Sequence, residues 1–175
     1  MKTEKLSVLK KELNSRSPKE LAEICLRLAK LKTENKEMLD YLLNSSDDPM
    51  LYAATIKKEM DDSFQLLSDH YYHATKSLRK ILRLVTKYRR FTASKEGETE
   101  LLLYFMSRYL ERVDHKTRHK PLQNMLTRVQ ERLMKLIPAL HEDLQFDYTS
   151  EYNKYVDIIE SRFSFWDKLN RHLKL

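Results

Sequence analysis

A single glycine, Gly97, stands in a chain of 175 residues, and four prolines are the only other strong turn formers. Glycine and proline supply most of the backbone conformations that tight β-turns need. A chain with so few of them has little material for hairpins, while its apolar residues recur at helical spacing. The sequence therefore predicts an all-α protein of roughly seven or eight helices.

Capping residues and prolines mark where several helices begin. Ser17-Pro18 with Glu20 predicts a start at Pro18, Asp48-Pro49 predicts a second start, and Lys120-Pro121 gives a weaker third signal. The other expected boundaries are a short helix near Glu4–Leu13, a cap at Thr33, a turn over Ser68–Tyr72, a helix end at Gly97 with a new start at Thr99, a break at Pro138 and a last helix from about Tyr148.

Short connections between these helices favour antiparallel hairpins. The length suits one domain, so we expect a single helical domain over residues 1–175. The pattern leaves an irregular bundle and a short α-solenoid as alternatives. A single glycine does not fit a tetratricopeptide repeat, which needs glycine and other small residues where its hairpins cross.

Membrane segments and cysteine chemistry are both disfavoured by the sequence. The charged N-terminal residues include no apolar run, and the longest strongly apolar stretch is Leu101–Met106, which is typical of a buried helix segment. We therefore expect a cytoplasmic protein without integral membrane association. The only cysteine, Cys25, shares a helical face with Leu21 and Leu28, which predicts a buried small hydrophobic side chain.

Charge is distributed very unevenly along the chain. Residues 71–95 contain eight basic and no acidic side chains, so this segment alone exceeds the net charge of +7 of the whole chain. Six of these side chains follow helical spacing and define what we call the basic stripe: Lys76, Arg79, Lys80, Arg83, Lys87 and Arg90. Leu78, Ile81 and Val85 lie on the opposite side of the helix, so the same segment can pack and present six cations.

Three functions of the basic stripe are open, and internal neutralisation is a fourth possibility. Acidic segments 59–69 or 142–147 could pack beside the stripe and neutralise it within the fold. Otherwise its partner would be an acidic protein or peptide, which we favour, or nucleic acid bound without sequence preference, or, third, an anionic membrane surface. We expect the basic amphipathic helix over residues 71–91, with Tyr71 and Tyr72 in the turn at its start.

Catalytic patterns are sparse. His115 and His119 have the i, i+4 spacing of a helical metal pair, and a metal-dependent enzyme using them is a weak alternative. The surrounding cations Lys116, Arg118 and Lys120 disfavour a bound dication, and His70 and His73 are expected in turn or packing roles. We therefore predict a protein that is not an enzyme and needs no cofactor.

The first 45 residues resemble the opening of a family of small, all-helical bacterial proteins of unknown function. The resemblance lies in Leu9–Leu13, Ser17–Leu21, Asn35–Glu37 and Tyr41–Leu43, and the segments Ser77–Tyr88 and Leu122–Ile137 are compatible with later helices of that family. It implies an all-helical bacterial protein. It implies no activity, ligand or site residue.

Overall fold

The computed structural model describes residues 3–114, 116, 118–162 and 175. Within them the chain forms eight α-helices and one 3-10 turn, and no strand, which confirms the all-α prediction. The elements are α1 (Leu6–Asn14), α2 (Pro18–Leu31), α3 (Thr33–Asn44), α4 (Pro49–Gln65), α5 (Tyr71–Thr92), α6 (Lys95–Arg112), α7 (Lys120–Leu136), the 3-10 turn Ile137–Ala139 and α8 (Glu142–Arg162). Among these described helices, none combines the length and the apolar character that crossing a bilayer requires.

Contacts group the chain into two compact units, Met1–Asp47 and Asp48–Leu175, where the sequence predicts one domain. In the first unit α2 and α3 pack together as a hairpin, and the Asn35 side-chain amide donates to the carbonyl of Leu28 across it. The expected start at Pro18 is confirmed, because Ser17 and Glu20 form a reciprocal capping box. These hydrogen bonds from Ser17 lower the pKa of Glu20.

Two predictions fail in the first unit. Thr33 is the first residue of α3, with Lys32 at the N-cap position, so Thr33 does not cap the helix. Cys25 is exposed and not buried, and Leu28 beside it is 52% exposed. The reason is that α2 and α3 meet along one line only, which buries Tyr41 and leaves most of each apolar face uncovered.

The second unit is a bundle built around α6, which contacts α4, α5, α7 and α8. Every residue of the apolar run Leu101–Met106 except Tyr104 is buried, which confirms its predicted place in a buried helix segment. The buried side chains of α6 cover most of its circumference, and a remaining strip with Glu100, Arg108 and Glu111 is partly or fully exposed. This central position of α6 favours a bundle over a solenoid.

Gly97 lies inside α6 and does not end α5, contrary to the prediction. The basic helix ends at Thr92, where Ala93 takes a left-handed conformation (φ 53°), and Ser94 rather than Thr99 caps α6 by accepting from the amide of Gly97. The glycine is needed for a close approach, since a Cβ there would lie 1.8 Å from the hydroxyl oxygen of Tyr88. Tyr88 is held by its stacking on Tyr52 and by donating to the carbonyl of Pro49.

One buried carboxylate ties three helices together. Glu98 on α6 is 5% exposed and accepts two hydrogen bonds from the guanidinium of Arg132 on α7, at 2.9 and 2.7 Å. Arg89 on α5 lies 3.7 Å from the same carboxylate. Hydrogen bonding to Glu98 raises the pKa of Arg132, and the ionic cluster couples α5, α6 and α7.

We expect Gly97→Ala to lower the free energy of unfolding by about 2–3 kcal/mol, because the new methyl group meets a tyrosine that cannot move aside. Chemical denaturation of both proteins measures the loss. In a Tyr88→Leu background the same alanine should cost far less. An equal loss in both backgrounds would show that contact with Tyr88 is not the reason for the glycine.

Stability should fall above about pH 10, the ordinary pKa of tyrosine. Burial raises the pKa of Tyr109, Tyr148 and Tyr152 in the folded state, so above that pH the unfolded chain ionises first and unfolding is favoured. Urea denaturation between about pH 8 and 11 measures this slope. Tyr109→Phe removes one of these ionisable groups, so its free energy of unfolding should fall less steeply as the pH rises, although the hydrogen bond to the carbonyl of Leu122 is lost. An unchanged dependence on pH would contradict the assignment.

Candidate functional site

Helix α5 is anchored by one face and open on the other. Its buried residues Leu78, Ile81, Val85 and Tyr88 pack towards α4 and α6, as their spacing predicts. The helix runs without a break from Tyr71 to Thr92. The basic stripe therefore lies on a rigid support, and its first and last residues are about 21 Å apart along the axis.

The structure places all six residues of the basic stripe on α5. Lys76, Arg79, Lys80, Arg83 and Arg90 are exposed, and Lys87 is partly buried with its ammonium 5.7 Å from the ring centroid of Phe91. Three pairs within the stripe are four residues apart, so like charges face each other on neighbouring turns. This arrangement disfavours the isolated helix by about 0.2–0.5 kcal/mol per pair.

Two acidic side chains of the second unit pair with cations outside the basic stripe. Asp61 lies 3.1 Å from the guanidinium of Arg108, and Glu100 pairs with Lys57. Among the described residues, no ion pair reaches Lys76, Arg79, Lys80 or Arg83. Internal neutralisation, one of the alternatives from the sequence, is therefore not found at these four positions of the described chain.

The basic helix spans Tyr71–Thr92, close to the predicted range 71–91, so two tyrosines that were expected in a turn belong to the helix. The turn ends at His70, whose amide donates to the Ser68 hydroxyl, and Tyr71 is the first helical residue. Tyr72 is 66% exposed and lies one turn before Lys76, on the face of the basic stripe. The stripe is therefore preceded by an exposed aromatic ring, a feature that sequence reasoning missed because it assigned Tyr72 to the turn.

A ring contact brings a second group of cations to the start of α5. Tyr71 stacks on His119, with centroids 6.0 Å apart and planes inclined by 15°. His119 closes the α6–α7 connection, where Lys116, Arg118 and Lys120 are exposed. A second group of exposed cations therefore lies near the start of α5, on the side of Tyr71, although the two segments are some 40 residues apart in sequence.

Of the two histidine pairs singled out in the sequence, only His70 and His73 lie wholly within the described residues. The rings of His70 and His73 lie 5.3 Å apart, but the described residues contain no group of three metal-ligating side chains. His115 lies outside the described residues, so the pair His115/His119 remains a prediction.

A second charged cluster, between α4 and α6, was not found from the sequence. A surface cavity of about 250 Å³ is lined by Asp61, Phe64, Gln65, Arg108, Glu111 and Arg112. Its charged groups already have partners: Arg108 contacts Asp61, Glu111 and the Tyr104 hydroxyl, and Arg112 donates to the last carbonyls of α4. The cluster therefore joins two helices, which makes it a weaker candidate site than the basic stripe.

If the basic stripe has no structural role, removing charge from it should not harm the fold. We expect Arg79→Gln/Arg83→Gln to raise the free energy of unfolding by a few tenths of a kcal/mol at low salt, because repulsion within the stripe is relieved. The gain should disappear at high salt, where charges are screened. A clear loss of stability in urea denaturation would show that the stripe is neutralised within the fold.

Comparison with known proteins gives no match: no family model, curated protein or solved structure is matched by this chain. The resemblance of its first 45 residues to small helical bacterial proteins therefore remains a prediction.

Proposed function

We propose that this protein is a binding module without catalytic activity, and that its basic stripe docks a polyanionic macromolecule. The sequence favours an acidic protein or peptide as that partner. Nucleic acid is the second candidate, and the exposed ring of Tyr72 at the end of the stripe is the specific observation that favours it.

One observation carries the proposal. Lys76, Arg79, Lys80 and Arg83 are exposed on one face of a rigid helix, without an ion-pair partner among the described residues, while acids elsewhere in the same unit are used between helices. Repulsion between these cations is relieved when a polyanion binds. Binding is therefore favoured twice, because the partner is attracted to the cations and because it relieves the repulsion between them.

The geometry of the stripe suits an elongated partner. Its six cations lie along about 21 Å of one helix face, so an extended acidic chain or an acidic helix can contact several of them at once. Such contacts are electrostatic and largely exposed, so they weaken as salt screens the charges. They give fast association and modest specificity rather than a tight, dry interface.

Anisotropy of a labelled polyglutamate peptide and a labelled oligothymidylate tests the proposal. We expect at least one of the two to bind at low salt, with an affinity that falls steeply as salt is raised. Arg79→Glu/Arg83→Glu should abolish this binding, because it replaces two central cations with anions.

A matched control separates the stripe from overall charge. Lys135→Glu/Lys154→Glu changes the net charge by the same amount at exposed positions on α7 and α8, and should bind nearly as the parent protein does. Equal losses in both variants would mean that only net charge matters. Failure of both probes to bind at low salt would overturn the proposal.

A further inference from the structure

We propose that the polyanion bound by the basic stripe is a single-stranded nucleic acid, and that Tyr72 is a stacking platform for one of its bases. This inference rests on the proposed function and specifies its ligand. The observation behind it is the alignment of an exposed aromatic ring with the cations of α5.

Tyr72 differs from the other tyrosines of the second unit in its surroundings. Tyr88, Tyr109 and Tyr152 are fully buried, and Tyr88 and Tyr109 donate their hydroxyl groups to backbone carbonyls. Tyr72 is 66% exposed, and its only ring contact in the described chain is an edge contact with its neighbour His73. The fold therefore leaves a face of this ring accessible to a ligand.

Cations follow the ring along the helix. Lys76 lies one helical turn later, and the basic stripe continues from there along α5. A strand that stacks one base on Tyr72 can thus place the phosphates next to that base near these cations.

The ring decides between the possible polyanions. Carboxylates of an acidic peptide are attracted by cations but gain nothing from an exposed aromatic face. Single-stranded nucleic acid combines phosphates with bases whose faces are open, and proteins that bind it pair basic grooves with aromatic platforms. In a duplex the base faces are already stacked, so a duplex offers Tyr72 no equivalent surface.

Anisotropy with three labelled probes tests the inference: oligothymidylate, a duplex of the same length and polyglutamate. Tyr72→Ala should weaken oligothymidylate binding by about fivefold or more, which is the usual range for losing one base–aromatic stack. Tyr72→Phe keeps the ring and should bind like the parent protein. Phe146→Ala removes another exposed ring, 80% exposed on α8, and should have no effect.

Salt dependence gives an independent measure of the phosphate contacts. For single strands the slope of log affinity against log salt is about −0.7 per phosphate contact, so six contacts predict about −4. Arg79→Gln/Arg83→Gln, which removes two cations without adding anions, should make the slope shallower by about 1.4. Tyr72→Ala should lower the affinity without changing the slope.

The outcomes separate this inference from the proposed function. If polyglutamate binds through the stripe while oligothymidylate does not, or if Tyr72→Ala leaves oligothymidylate binding intact, the single-strand assignment is wrong and the docking function stands. Duplex binding as strong as single-strand binding would also overturn it. If no probe binds at low salt, both proposals fail.

Discussion

The burial of α6 by four other helices is the constraint on which the second unit depends. A helix in that position must be apolar over most of its circumference, and the run Leu101–Met106 satisfies this demand. The carboxylate it buries near its start, Glu98, requires cationic partners, because an unpaired buried charge is strongly unfavourable. Arg132 and Arg89 meet that need from α7 and α5, so the central helix fixes its neighbours through one ionic cluster as well as through apolar packing.

The basic stripe is a consequence of the same packing. Helix α5 must turn Leu78, Ile81 and Tyr88 towards α4 and α6, so cations spaced with the opposite phase can only face outward. Three acids of the second unit pair with cations outside the stripe: Glu98 with Arg132 and Arg89, Asp61 with Arg108, and Glu100 with Lys57. Among the described residues no ion pair reaches Lys76, Arg79, Lys80 or Arg83, so these acids neutralise cations between helices and not those four on the outer face.

Local signals in the sequence predicted those features that local chemistry controls. The starts at Pro18 and Pro49 follow from Ser17 and Asp48, whose side chains accept from backbone amides in the first turn, and the break near Pro138 follows from its missing amide hydrogen.

Gly97 was misjudged because its role is a tertiary contact with Tyr88, and glycine inside a helix resembles a helix end when only the sequence is known. The prediction that Cys25 is buried was wrong for a related reason. Cys25 lies on an apolar helix face, but no third helix in the described part of its unit covers that face. Tyr72 was missed because a tyrosine beside a turn gives no sign of whether it begins the next helix.

The repulsion between the cations of the basic stripe and their capacity to bind a polyanion both follow from their close spacing on one helix face. The three like-charge pairs four residues apart disfavour the folded helix by about 1 kcal/mol in total, which is small beside the 5–15 kcal/mol typical of domain stability. The apolar face of α5, with several fully buried side chains, outweighs that cost by a wide margin. The fold can therefore hold the cations in fixed positions before any partner arrives. Because the helix is already ordered and the charges are already close together, a polyanion that meets the stripe has little ordering entropy to overcome on the protein side, and its binding removes an unfavourable interaction that the free protein carries.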